Sequence, residues 1–247
     1  MLANRLTGPE DAPVVLYLHG LGVAGWCWEP VSAALPDHAA LVPDLPGHAG
    51  SRDIPWRSIA DTADQLAALV DTLPADRPVH VTGHSLGGYL GATLIALRPK
   101  RFESALLSGF HIGALGNRRL LKLAFAINGL LWRVPPLLRL LAPRMGDAET
   151  TRRFIEGTRN IRPDTIRRAG SQVVEFKTPF APGPLPCPTL IVAADGEPRA
   201  IRTTPDRLAA QHPNVTAKLL ENRDHLWPLK EPKLYADLLS AHLGRNR

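Results

Sequence analysis

The chain has 247 residues, of which 45% are hydrophobic and 21% are charged. This length suits one large domain, and the composition excludes an intrinsically disordered chain, which would be poorer in apolar residues. The two cysteines, Cys27 and Cys187, exclude a disulfide framework and lie in no metal-binding spacing. The formal net charge of +6 is accompanied by no nucleic-acid-binding motif, so we expect no nucleic-acid partner.

The N-terminal residues 1–8 lack the charged head, long apolar stretch and cleavage site of a secretory signal. The longest apolar region, residues 120–142, is interrupted by charged residues and prolines such as Lys122, Arg133 and Pro135. It therefore lacks the ~20 predominantly apolar residues that a membrane-spanning helix needs. Together the two observations predict a cytoplasmic location.

Short runs of β-preferring apolar residues alternate with helical patterns through most of the chain. Residues 14–18 read Val-Val-Leu-Tyr-Leu, which is typical of a strand buried on both faces. The alternation predicts an α/β fold, in which a mostly parallel central sheet carries helices on both faces. The predicted strands are 14–18, 40–42, 79–82, 104–108, 189–194 and 217–220, and the predicted helices are 58–73, 86–97 and 231–243.

Residues 111–180 break the alternation with helix-like apolar and basic stretches that prolines separate. This segment holds 13 Lys or Arg and 5 Asp or Glu, so its net charge of +8 exceeds that of the whole chain. We predict that it is a helical cap, or lid, inserted in a core formed by residues 1–110 and 181–247. Because ligands bind beyond the carboxyl ends of parallel strands, we expect the cap to cover the functional site.

The 111–180 segment has more leucines than one buried helical stripe requires. We therefore hypothesise an apolar pocket under the cap that accommodates an acyl group. Basic amphipathic helices also bind anionic lipid surfaces, so weak contact with a membrane surface or lipid is a further expectation. The apolar residues concerned are Leu120, Leu121, Leu123, Phe125, Leu130, Leu131, Trp132, Leu137, Leu138, Leu140 and Leu141.

Residues 83–87 read Gly-His-Ser-Leu-Gly and match the pattern G-x-S-x-G between a predicted strand and a predicted helix. Gly83 and Gly87 are predicted to let strand and helix approach closely, while Ser85 projects from the sharp turn between them. Ser85 is thus the candidate nucleophile, and His84 is expected to be structural. The alternative is a glycine-rich turn with an incidental serine.

A second glycine-containing loop, His19-Gly20-Leu21-Gly22, follows the first predicted strand. Backbone N–H groups in such a loop can stabilise the negative charge that develops on a carbonyl oxygen under attack. We predict an oxyanion hole formed by the N–H groups of Leu21 and Leu86, with Gly20 allowing the close approach of the loop.

Several motifs together resemble those of the α/β-hydrolase superfamily, in particular serine-nucleophile, esterase- or lipase-like members with a helical cap. The resemblance covers essentially the whole chain outside the cap. It implies the α/β-hydrolase fold and a catalytic triad in the chain order nucleophile, acid, histidine, with His225 as the general base. The motifs are His19-Gly20, Pro-Asp-Leu-Pro-Gly-His at 43–48, Gly-His-Ser-Leu-Gly-Gly at 83–88, and Asp224-His225.

The resemblance places the triad acid just after the strand at 189–194, where two carboxylates compete. Relatives have the acid immediately before a proline, and this register against Pro198 favours Glu197. The usual side-chain type at this position instead favours Asp195. Both remain candidates, whereas Asp44 is expected to hold its loop by hydrogen bonds.

These features predict a carboxylesterase- or lipase-like serine hydrolase that cleaves an ester of a small or medium, largely apolar acyl group through an acyl-enzyme. Such a mechanism requires no metal and no organic cofactor. The expected partner is a small-molecule ester or other acyl compound, and the sequence does not determine the oligomeric state. A thioesterase, or a carbon–carbon bond hydrolase or lyase with the same triad, is the enzymatic alternative. A non-catalytic ligand-binding protein with this fold is the alternative of a different class.

Overall fold

A computed structural model describes residues 1–113, 115–131, 134, 146–162 and 164–244. In this part of the chain, seven strands form one sheet in the order β1-β3-β2-β4-β5-β6-β7. Strand β1 is antiparallel to β3, and all the other neighbouring pairs are parallel. The strands are β1 (Asn4–Thr7), β2 (Val14–Leu18), β3 (Ala39–Pro43), β4 (Val79–His84), β5 (Ser104–Ser108), β6 (Thr189–Ala194) and β7 (Val215–Leu220).

Helices connect the strands and cover the sheet. The α-helices are α1 (Glu29–Ala33), α2 (Ile59–Val70), α3 (Leu86–Leu97), α4 (Arg118–Leu131), α5 (Ala148–Arg159), α6 (Thr165–Glu175), α7 (Arg199–Arg202), α8 (Thr204–Gln211), α9 (Trp227–Lys230) and α10 (Pro232–Gly244). Two short 3₁₀-helices lie at Gly25–Trp28 and Ala49–Ser51. None of the described helices is long and apolar enough to span a membrane.

The predicted α/β fold is confirmed, because both faces of the sheet are buried under helices. In β2, Leu16 and Leu18 point to a core that includes Leu66 of α2 and Leu90 of α3. Tyr17 lies on the opposite face. There the second core includes Val31 of α1 and Leu239 of α10. All five residues of β2 are buried, which explains why the strand is a continuous apolar run.

The six predicted strands are present, although β3 is one residue longer at each end, β4 ends two residues later and β7 begins two residues earlier than expected. The edge strand β1 was not predicted. Its four residues, Asn-Arg-Leu-Thr, are all exposed, so the strand carries no hydrophobic pattern. The helix predicted at 58–73 spans Ile59–Val70 in the structure, so it ends three residues earlier than expected. Ser58 caps its start, because the side chain accepts a hydrogen bond from the N–H of Asp61.

The described part of the 111–180 segment contains α4, α5 and α6, between β5 and β6 in the chain. Helix α4 packs on α6, where Gly129 and Gly170 allow close approach of Ile166 and Phe125. Helix α5 is attached to the rest of the protein through Arg153, which pairs with Glu29 at 2.5 Å. The division into core and cap stays a prediction, and Trp132, Arg133 and residues 135–145 lie outside the described residues.

Candidate active site

The turn between β4 and α3 presents Ser85 in a strained conformation, with φ 55° and ψ −118°. The predicted close approach of strand and helix at Gly83 and Gly87 is present, and it leaves no room for a side chain at either position. A Cβ atom added to Gly83 would lie 2.3 Å from the Gly87 carbonyl oxygen, and one added to Gly87 would lie 1.9 Å from the Leu18 carbonyl oxygen. Strand β2, strand β4 and helix α3 thus meet at a contact that only glycine permits, and Ser85 projects from it.

Ser85, His225 and Glu197 lie together as a chain of hydrogen bonds, although they are far apart in sequence. His225 Nε2 is 2.9 Å from Ser85 Oγ, and His225 Nδ1 is 2.5 Å from Glu197 Oε1. Because the carboxylate can only accept, the Nδ1–H donates to it and Nε2 is left to accept the Ser85 proton. This is the geometry that activates a serine hydroxyl as a nucleophile.

The Glu197 side chain is fully buried, and both of its oxygens are hydrogen-bonded. Oε1 accepts from His225, and Oε2 accepts from the N–H of Ala194 at 2.7 Å. A buried carboxylate without such partners would be strongly destabilising. The N–H of Glu197 also donates to the Ala194 carbonyl at 3.1 Å, so a turn at the end of β6 fixes the position of Glu197.

The other candidate acid, Asp195, is directed elsewhere. Its carboxylate accepts hydrogen bonds from the N–H groups of Asn222 and Arg223, at 2.9 and 3.1 Å. These bonds hold the pKa of Asp195 below its ordinary value. Asp195 therefore organises the loop that precedes His225, and of the two candidates the geometry favours Glu197 as the acid.

The two predicted oxyanion-hole residues are near Ser85, since Leu21 lines the same pocket as Ser85 and Leu86 follows Ser85 in the chain. A Cβ atom added to Gly20 would be 3.5 Å from the Ser85 Cβ, so the loop at 19–22 passes close to Ser85 at Gly20. Leu86 is the first residue of α3, and N–H groups of a first helical turn have no acceptor within the helix. The arrangement can stabilise negative charge near Ser85, and the oxyanion hole stays a prediction.

Two buried histidines, which the sequence analysis did not single out as functional, hold the loop at 19–22. His19 accepts from the N–H of Leu45 at 2.9 Å and donates to the Gly20 carbonyl at 2.8 Å. His48 accepts from the N–H of Gly22 at 3.4 Å. Burial lowers the pKa of His19 to about 4 and that of His48 to about 3, so both rings are neutral near pH 7. Both histidines lie within motifs, at 19–20 and 43–48, and this is the sequence signal that could have indicated their role in holding the loop.

Asp44 has the structural role that was expected of it. Its two carboxylate oxygens accept from the N–H groups of Gly25 and Gly50, at 2.9 and 3.0 Å. The same loop places Ala49 at φ 39°, in the left-handed region that favours glycine. Asp44 thus joins the loop after β3 to the 3₁₀-helix that precedes α1.

A pocket with about 490 Å³ of empty space, part of it open to solvent, adjoins Ser85 and His225. Its apolar lining comes from two loops, the one after β2 and the one around His225. The lining residues are Gly20, Leu21, Val23, Cys27, Trp28, His84, Ser85, His225, Leu226, Pro228 and Leu229. Among the described residues, none of the lining belongs to 111–180. The predicted acyl pocket under the cap is therefore untested, and Leu137, Leu138, Leu140 and Leu141 lie outside the described residues.

The described part of the 111–180 segment leaves apolar side chains of α4 exposed. Leu120, Leu123 and Leu130 are 61%, 56% and 66% exposed. Arg118 and Arg119 begin the same helix. Weak contact of this helix with a lipid surface stays a prediction. Within the described ranges, no group of three or more His, Cys, Asp or Glu is arranged to hold a metal ion.

Comparison with known proteins gives a match to the model of the alpha/beta hydrolase family over residues 15–238. Lipase LipV of Mycobacterium tuberculosis is 35% identical over 114 residues, which are 45% of this chain and 42% of that protein. The matched part of the chain spans 42% of the length of LipV and 36% of the length of a second curated relative at this level of identity.

Two further proteins are similar over nearly the whole chain. The (E)-2-((N-methylformamido)methylene)succinate hydrolase of Acinetobacter baylyi is 24% identical over 241 residues, covering 95% of this chain and 91% of that protein. A thermophilic esterase of Thermogutta terrifontis superimposes with a TM-score of 0.78 at 20% identity, covering 99% of this chain and 93% of the esterase. At this identity the structural match establishes the fold alone.

Proposed function

The chain belongs to the alpha/beta hydrolase family, and from this premise we propose that it is a serine hydrolase that cleaves carboxylic esters through an acyl-enzyme. The observation that carries the proposal is the chain of hydrogen bonds from Ser85 through His225 to Glu197. Ester hydrolysis uses each of its members in a defined role. A ligand-binding protein would not require a serine held in a strained conformation beside a correctly oriented histidine.

In the proposed reaction, His225 Nε2 takes the proton of Ser85 as Oγ attacks the ester carbonyl carbon. The N–H groups of Leu21 and Leu86 stabilise the oxyanion, and Glu197 stabilises the imidazolium. His225 then protonates the departing alcohol, which leaves Ser85 acylated. A water molecule, deprotonated by the same imidazole, cleaves the acyl-enzyme and restores the Ser85 hydroxyl with release of the acid.

The pocket beside Ser85 supports an apolar substrate. Val23, Trp28 and Leu229 contribute apolar side chains to it, and no Lys or Arg is found among its described lining residues. The Acinetobacter relative is named for a succinate derivative, a dicarboxylate that would need cationic partners. LipV, by contrast, is named a lipase, a class of enzyme that cleaves esters. The small volume favours a short or medium acyl group.

We expect kcat/KM for p-nitrophenyl esters to rise from acetate to butyrate and hexanoate, then to fall for longer acyl chains. Each methylene that enters the pocket contributes about 0.8 kcal/mol, or about fourfold in kcat/KM, until the pocket is full. Steady-state rates over the series, acetate to decanoate, measure the profile. An enzyme that shows no preference beyond acetate would contradict an apolar acyl pocket.

A variant of the lining shows whether this pocket sets the preference. Leu229→Trp fills the pocket and should shift the optimum to shorter chains. Leu238→Trp is the matched control, because Leu238 is also partly buried against the same core but lies outside the pocket. Its profile should equal that of the wild type. Identical profiles for both variants would place the acyl group elsewhere.

A further inference from the structure

His84 is the residue before the nucleophile, and both nitrogens of its buried ring are hydrogen-bonded. Nδ1 lies 2.9 Å from the Ser108 hydroxyl, and Nε2 lies 2.8 Å from the main-chain carbonyl of His225. A carbonyl only accepts, so Nε2 carries the proton and donates to His225. Nδ1 therefore accepts from the Ser108 hydroxyl, and the tautomer of His84 is fixed.

This ring connects three elements of the site directly. It lies on β4 next to Ser85, its Nδ1 partner Ser108 ends β5, and its Nε2 partner is the backbone of the base itself. The rings of His84 and His225 are 4.7 Å apart. Gly109 makes room for both, since a Cβ atom at this position would lie 2.5 Å from His84 Cε1 and 3.0 Å from His225 Cε1.

Ser108 holds the nucleophile as well as the ring. Its carbonyl accepts the N–H of Ser85 at 2.9 Å, while its hydroxyl donates to His84. The backbone of Ser85 and the backbone of His225 are thus tied to the same residue, one directly and one through the imidazole. Burial, with His225 as a smaller cause, holds the pKa of His84 well below its usual value, so the bridging ring stays neutral.

We propose that His84 is a positioning residue, whose neutral imidazole sets the distance between Ser85 Oγ and His225 Nε2 by holding the His225 carbonyl. The inference rests on the proposed serine mechanism. Proton transfer from Ser85 depends on a 2.9 Å hydrogen bond, and displacement of the base by about 1 Å would cost on the order of 10²-fold in rate.

The same two strands supply a matched control pair. His80 lies four residues before His84 on β4 and pairs with Ser104 of β5, again with Nδ1 2.9 Å from the hydroxyl. The two pairs occupy equivalent places in the sheet, since His80 is opposite Ser104 and His84 is opposite Ser108. His80 is 8% exposed and His84 is 9% exposed. The second pair is bonded to the His225 carbonyl through His84 Nε2.

The test compares His84→Leu, His84→Gln and His80→Leu for kcat and KM on p-nitrophenyl butyrate, for the rate of fluorophosphonate labelling and for the thermal midpoint. We expect His84→Leu to lower kcat and the labelling rate by about tenfold or more, with KM within about twofold. His84→Gln, whose amide can still donate to the His225 carbonyl, should recover most of the loss. His80→Leu should keep the wild-type kcat.

The inference is overturned if His84→Leu has the wild-type kcat, or if His80→Leu loses as much kcat as His84→Leu. Should His84→Leu not fold, Ser108→Ala against Ser104→Ala makes the same comparison, with a lower kcat expected for Ser108→Ala alone. Equal kcat values for Ser108→Ala and Ser104→Ala would also overturn the inference. If the wild type itself is not labelled, the proposed serine mechanism is wrong and the inference falls with it, whereas a labelled wild type with an equally labelled His84→Leu overturns the inference alone.

Discussion

Ser85→Ala is expected to lower kcat/KM for p-nitrophenyl esters by roughly 10⁴-fold or more. Without the hydroxyl no acyl-enzyme forms, and only the binding and oxyanion contributions to hydrolysis by water remain. The substitution removes one hydrogen bond to His225 and no packing, so the far-UV circular dichroism and thermal midpoint should be close to those of the wild type. Ester hydrolysis assays and thermal melts measure both quantities.

Ser32→Ala provides the control for this substitution. The Ser32 hydroxyl donates to the Glu29 carbonyl on α1, and Ser32 lies outside the pocket. Its removal should leave kcat/KM unchanged. Wild-type activity in Ser85→Ala, with the control equally active, would show that Ser85 is not the nucleophile and that the ester is cleaved through another group.

Glu197→Gln should reduce kcat by about 10³- to 10⁴-fold, whereas Asp195→Asn should stay within a few-fold of the wild type. The amide at position 197 can present its NH₂ group to His225 Nδ1, which then favours the opposite tautomer and leaves Nε2 unable to accept the Ser85 proton. The Asp195 carboxylate instead accepts from the N–H groups of Asn222 and Arg223. Parallel kcat measurements on the two variants decide which carboxylate is the acid.

Asp195→Asn should also change the thermal stability and the pH dependence of that stability. The pKa of Asp195 is lowered in the folded protein, chiefly by the hydrogen bond from Asn222. Its ionised form therefore stabilises the fold above the ordinary aspartate pKa, and this contribution is lost as the pH falls towards the lowered value. Asp195→Asn should lower the thermal midpoint at neutral pH and converge with the wild type in acid. A large loss of kcat in Asp195→Asn alone would reverse the assignment.

The sheet could be predicted because its central strands are buried on both faces. Val14 to Leu18 and Leu190 to Ala194 are continuous apolar runs, as is typical of a parallel strand between two helical layers. The edge strand β1 has no such requirement, since its residues are exposed and its pairing with β3 uses backbone groups alone. Local patterns therefore reveal buried strands and miss solvent-exposed edges.

Local motifs single out Ser85 and His225 as the candidate nucleophile and base, but they do not choose between the two candidate acids. Asp195 and Glu197 both follow β6, and the choice depends on side-chain direction in the turn. There Glu197 points to His225, and Asp195 points to Asn222 and Arg223. The bond between His84 and His225 joins residues 141 positions apart, and no local pattern encodes such a contact.

The pocket illustrates a second limit of sequence patterns. The leucines of 111–180 indicate that this segment has apolar surfaces, yet composition does not specify what those surfaces contact. In the described part, the lining beside Ser85 comes from Val23, Cys27 and Trp28 and from the residues after His225. Leu120 and Leu130, by contrast, are exposed. Only the three-dimensional structure distinguishes the residues that line the pocket from the exposed leucines.

The central claim, that Ser85 is an activated nucleophile, is tested most directly by intact-mass spectrometry and peptide mapping after incubation with a fluorophosphonate. We predict the addition of one phosphonyl group, located on Ser85 and absent in Ser85→Ala. A wild-type protein whose mass is unchanged by the reagent, or whose label maps to another residue, would contradict the serine mechanism.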